Sequence, residues 1–244
     1  MSKIKKQSKK QQEEVTLERY HGPLITNGVE LGYIKIVPWL NLVADIFWYF
    51  AAGYNDNLGI LKGTFLLCIL INLFSILYSF FNYTIVKYKV LTYLLLTLNF
   101  LTMIIWLNFI GLMMFVSNID DSMDANTFYD SPLTLFYVIP MFLLFLIMTF
   151  FVYPYFYRRD RRTNGAYREK ESKFNSEDNK LFSSNFLLIF GLVVFVPPLL
   201  TGYLENVFGL VIGILFSLVI PALVVDAFYA ALYAKQHPEE IDEL

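Results

Sequence analysis

Six apolar runs dominate the chain between residues 36 and 234, at 36–55, 63–86, 90–116, 132–157, 183–204 and 207–234. Each is close to or longer than the roughly 20 helical residues that cross a hydrocarbon core. What lies between the runs carries most of the charge. With 19 Lys plus Arg, 21 Asp plus Glu and a composition that is 57% hydrophobic, the chain has too few polar side chains to cover a soluble surface. A soluble enzyme, a nucleic-acid-binding domain and a disordered chain are thereby excluded. The expected fold is an all-α, polytopic membrane helix bundle of six transmembrane helices with both termini cytoplasmic. A basic polar segment, 1–35, precedes the membrane domain, 36–234, and a short acidic tail, 235–244, follows it. No short apolar core with a small-residue cleavage site lies within the first thirty residues, so no cleavable signal peptide is expected there.

The first run is the ambiguous one, because it is short and carries Pro38 near its start and Asp45 at its middle. The positive-inside rule decides its status. If all six runs cross and the N-terminus is cytoplasmic, the inside receives seven basic residues from the N-terminal segment and two from Lys87 and Lys89. It also receives eight from the 158–182 loop, and Lys235, so that 18 of the 19 lie inside and only Lys62 outside. If 36–55 does not cross, the split falls to 11 inside and 8 outside. Six spans are therefore expected. Trp39, Trp48, Tyr49 and Tyr54 flank the first span, and Tyr153, Tyr155 and Tyr157 the inner end of the fourth, where aromatic side chains serve as headgroup anchors.

Asp45 is the most informative residue. An ionisable group at mid-membrane costs at least about 2.5–3.5 kcal/mol on insertion scales, so it must face protein or water. No Lys, Arg or His lies inside any of the six runs. The plain reading is a buried packing hydrogen bond or a shallow first span; the sharper one is a proton- or cation-binding site. Asp226, in the last span, is a second candidate, able to approach Asp45 if the first and last helices pack together; its plain reading is a place near the inner headgroup region, in contact with Tyr229 or the basic loop.

The second span sets Cys68, Asn72, Ser75, Ser79 and Asn82 on one helical face. Asn99 and Thr92 of the third span are suitable partners. Such a stripe could line a hydrophilic path, but small and hydrogen-bonding side chains are also what joins membrane helices. Gly209, Gly213 and Ser217 recur every four residues, a pattern that permits close backbone approach within the chain or in a homodimer. Pro197, Pro198 and Pro221 are expected to kink the last two spans. Arg158, Arg159, Arg161 and Arg162 open the basic loop and could meet anionic lipid headgroups or a protein partner. The aspartate-rich loop from Ser117 to Ser131 reads as a solvated turn segment.

Catalytic signatures are missing: there is no phosphate-binding glycine loop, no nucleophile elbow and no membrane histidine. One cysteine, with His21 and His237 both in the polar ends, supplies no set of metal or haem ligands, so no cofactor is expected. The expected function is non-enzymatic: a multi-pass protein of the cytoplasmic membrane acting through contacts within it, of accessory, assembly or toxin-immunity type. Its partners would be the lipid bilayer and another membrane protein or a second copy, without nucleic acid. The alternative is a small transporter or permease membrane subunit with Asp45 as a proton- or cation-linked site. The abundance of Phe, Ile, Leu, Tyr, Asn and Lys fits an AT-rich bacterial genome.

Overall fold

The computed structural model describes residues 28–52, 55–116, 125–162 and 203–238, and every regular element among them is helical. A 3-10 turn, Leu31–Lys35, leads into α1 (Val37–Ala51). Then come α2 (Ile60–Ser79), a short α3 (Asn82–Lys87), α4 (Lys89–Val116) and a short α5 (Ala125–Asp130). The fourth long helical run joins α6 (Pro132–Ile147), a π turn (Met148–Val152) and α7 (Tyr153–Arg162), and α8 (Leu204–Gln236) is the longest helix described. Five of these runs are long and apolar enough to cross a membrane. The remaining expected span, 183–204, lies almost wholly outside the described residues, as do Pro197 and Pro198.

Local chemistry explains several element boundaries. Pro38 sits in the first turn of α1, where its missing N–H would have had no intrahelical acceptor. The start of α2 is held by Asp56, whose carboxylate accepts the N–H groups of Gly59 at 2.7 Å and Lys62 at 2.9 Å and the Tyr129 hydroxyl at 2.7 Å. Burial works to raise the Asp56 carboxyl, but these donors outweigh it and hold it below the usual carboxylate range. Gly59 takes φ +69°, a left-handed turn that favours glycine.

Several sequence boundaries need correction. The expected second span, 63–86, is not one helix: it breaks at Phe80 and Phe81, and α3 follows as a separate turn. The corner is tied by the Tyr78 hydroxyl, which donates to the Thr84 carbonyl at 3.1 Å and lies 2.8 Å from Thr92 Oγ1. In the fourth span the helix does not end at Tyr157 but continues to Arg162. Pro154 lacks an N–H for the residue 150 carbonyl, and the chain answers with the π turn, in which the Tyr153 N–H reaches back to the Met148 carbonyl. Tyr153 then faces α8 and donates to the Leu218 carbonyl at 2.7 Å.

The most extensive helix pair is α4 with α8, followed by α1 with α2. The small-residue stripe serves the first pair. A Cβ placed on Gly209 would come 2.5 Å from the Gly111 carbonyl oxygen and 2.6 Å from the Phe115 nitrogen, so the backbones of α4 and α8 touch there. Gly213 makes room for the Tyr137 ring, and Ser217 Oγ donates to Asn108 Oδ1 at 3.2 Å. Asn206 closes the same pair at its far end by donating to the Phe115 carbonyl at 2.7 Å. The π turn and α7 complete the packing on α8, with Tyr157 stacked on Tyr229 at 3.8 Å.

The chain entering α1 is also part of the core. Val29, Leu31 and Ile34 are fully buried against Ile85, Tyr93, Leu96 and Ala227, although they fall within the 1–35 segment expected to precede the membrane domain. Helical structure therefore starts at Leu31, five residues before the expected first span, and α1 ends at Ala51 rather than at 55.

Candidate functional site

Asp45 is fully buried, and what surrounds it is a column of amide and hydroxyl groups drawn from three helices. From α1 come Asn41 and Asp45, one turn apart; from α2 come Asn72 and Ser75; from α4 come Asn99, Thr102 and Trp106, spaced by three and four residues on one face. All but Trp106 are buried. An apolar membrane environment explains this inward turn, since a polar side chain facing lipid would lose its hydrogen bonds.

The bonds run through the column in a connected set. Asn72 Nδ2 donates to Asp45 Oδ2 at 2.8 Å, to the Cys68 carbonyl at 2.9 Å and to Thr102 Oγ1 at 3.1 Å. Asn41 Nδ2 donates to the Asn99 carbonyl at 2.7 Å and to Thr102 Oγ1 at 3.1 Å, with a longer contact of 3.4 Å to Asn72 Oδ1. Thr102 Oγ1 passes its own proton to the Asn99 carbonyl at 2.8 Å. Asn99 Nδ2 donates to Ser75 Oγ at 3.0 Å and to the Leu95 carbonyl at 2.7 Å, and Trp106 Nε1 donates to Asn41 Oδ1 at 3.1 Å. Within the column, two buried acceptors receive no donor from any described residue: Asp45 Oδ1 and Asn99 Oδ1.

The structure thus brings Asp45, Asn72 and Asn99 together, with Thr102, Asn41 and Trp106, which the sequence reading did not single out. Their signal was present as spacing: Asn41 stands four residues before Asp45, and Asn99, Thr102 and Trp106 share a helical face. Asp226 does not join them. Its Oδ2 accepts the Val29 N–H at 2.6 Å, just ahead of the 3-10 turn. Val29 precedes Asp45 by sixteen residues, or about 24 Å at 1.5 Å per residue. The two carboxylates therefore do not form a pair. Asp226 instead anchors the buried entry segment to α8, and a carboxylate there also complements the positive end of a helix.

The other candidates lie elsewhere. Gly209, Gly213 and Ser217 face α4 and Tyr137. Arg158, Arg159, Arg161 and Arg162 project from the end of α7 and are exposed, while Asp160 among them is buried. A separate apolar cavity of about 490 Å³ lies between α2, α4 and α6, lined by Phe65, Ile104, Phe109, Tyr137, Met141 and Phe142 among others. No group of three or more His, Cys, Asp and Glu side chains among the described residues could hold a metal ion. Set against protein-family models, curated proteins and solved structures, the chain matches none of them.

Proposed function

We propose that this chain is a non-enzymatic, multi-pass protein of a bacterial cytoplasmic membrane that works through contacts with another membrane protein. In this reading residues 183–204 supply a sixth span and both termini are cytoplasmic, which the one-sided distribution of Lys and Arg supports. The carrying observation is the uneven use of the helices. The most apolar stretch of α4 is 44% buried within the chain, but that of the Pro132–Arg162 run is only 11% buried. Phe136, Phe142 and Phe151 project from that run with more than half their surface exposed. Polar and small side chains, by contrast, are consumed inside the bundle. Among the described residues that run is the face left for a neighbour, and its apolar cavity beside Tyr137 offers depth for side chains from a partner helix.

A photoreactive amino acid placed at Phe136 or Phe142 in cells tests this. The expected result is one discrete protein adduct in high yield. Lipid adducts without any protein adduct at both positions would overturn the reading. A second reading, a small cation-linked carrier or permease subunit, is favoured by the buried carboxylate of Asp45.

A further inference from the structure

The column around Asp45 has an imbalance that hydrogen bonding within the described chain does not resolve. A side-chain amide nitrogen carries two hydrogens, a hydroxyl one and an indole one. Asn41, Asn72 and Asn99 each direct both amide hydrogens at named oxygens, Thr102 and Ser75 donate to backbone carbonyls, and Trp106 donates to Asn41. The donors are spent. What is left over is acceptors, Asp45 Oδ1 and Asn99 Oδ1, in residues with no exposed surface.

The same place has an unbalanced charge. The basic side chains of the described spans, Lys35, Lys62, Lys89, Arg158, Arg159, Arg161, Arg162 and Lys235, all lie towards span ends, and the interiors carry none. A buried carboxylate held by one amide hydrogen bond is costly unless it takes up a proton or a positive charge accompanies it, and only the cation also meets the open oxygen of Asn99. A buried cluster whose donors are all engaged and whose unmet groups are oxygens, one of them on a carboxylate, is an environment that a hard cation with oxygen ligands selects. The single negative charge sets the valence, because a divalent ion would leave an excess positive charge in a low-dielectric interior.

We propose that the α1–α2–α4 column binds one monovalent metal cation of sodium type, with the Asp45 carboxylate as its charged ligand and side-chain or backbone oxygens of the column as neutral ones. This goes beyond the partner-contact reading and does not depend on it. A cation held there can lock the three helices without crossing the membrane, so binding without flux would keep the site and remove the carrier reading.

The test uses the purified full-length protein in detergent or nanodiscs. Thermal unfolding is followed in NaCl and in choline chloride at equal ionic strength, together with equilibrium binding of radioactive sodium. The expected result is saturable stabilisation by sodium over choline, about one sodium bound per chain, and loss of about tenfold or more in sodium affinity in Asp45→Asn. If Asp45→Asn does not fold, sodium binding by the unaltered protein and its displacement by lithium but not choline still decide the matter. No bound sodium, equal sodium dependence in Asp45→Asn, or stabilisation by acid alone without a sodium effect would each overturn the proposal.

Discussion

Asn72→Leu is expected to destabilise the bundle by about 2–3 kcal/mol, read as a fall in the unfolding midpoint of the purified protein. Hydrogen bonds between membrane helices average only about 0.6 kcal/mol, so a loss of that size would mean an isolated contact. Asn72 is not isolated. Its amide serves Asp45, Thr102 and the Cys68 carbonyl at once, and its removal leaves the Asp45 carboxylate without a described donor at either oxygen. Adding Asp45→Val to Asn72→Leu should recover most of the loss, because removing both partners takes away the buried charge as well as its hydrogen bond. A double variant as unstable as the sum of the two singles would show that the pair is not coupled.

Gly209→Ala should cost about 1–3 kcal/mol through overpacking, with Gly63→Ala as its control. The added methyl at Gly209 meets backbone atoms of α4, the Gly111 oxygen and the Phe115 nitrogen, which can yield only if the two helices separate. Gly63, in α2, has nothing within 4 Å of the same position, and a substitution there should stay within about 0.5 kcal/mol of the parent. Equal effects at the two glycines would contradict the close α4–α8 contact.

Much of this was legible in the sequence because membrane spanning imposes a long apolar run, and the run survives whatever the helix packs against. The break at Phe80 and Phe81 was not legible: neither residue is a breaker, and the corner depends on Tyr78 meeting Thr84 and Thr92 in three dimensions. The π turn was in principle readable from Pro154, whose missing N–H must be compensated within a continuous span. At the candidate site, Asp45, Asn72 and Asn99 stood out by polarity alone, but Trp106 reads first as an apolar side chain and Asn41 as a neighbour of the interface. Their role came from the shared face. Asp226 was read as a possible partner of Asp45 on the condition that the first and last helices pack together. The fold instead ties it to Val29 at the opposite end of the first helical run.

The polar stripe of α2, Cys68, Asn72, Ser75 and Ser79, is buried and closed between helices rather than lining water. Cys68 lies on that stripe, one turn from Asn72, is 1% exposed, and is the only cysteine in the chain. Alkylation of the unaltered protein by a charged thiol reagent reads the stripe directly. Cys68 should stay unlabelled in the membrane and react stoichiometrically once the bundle is unfolded in sodium dodecyl sulfate. Rapid labelling in the intact membrane would place water along the stripe and contradict the account.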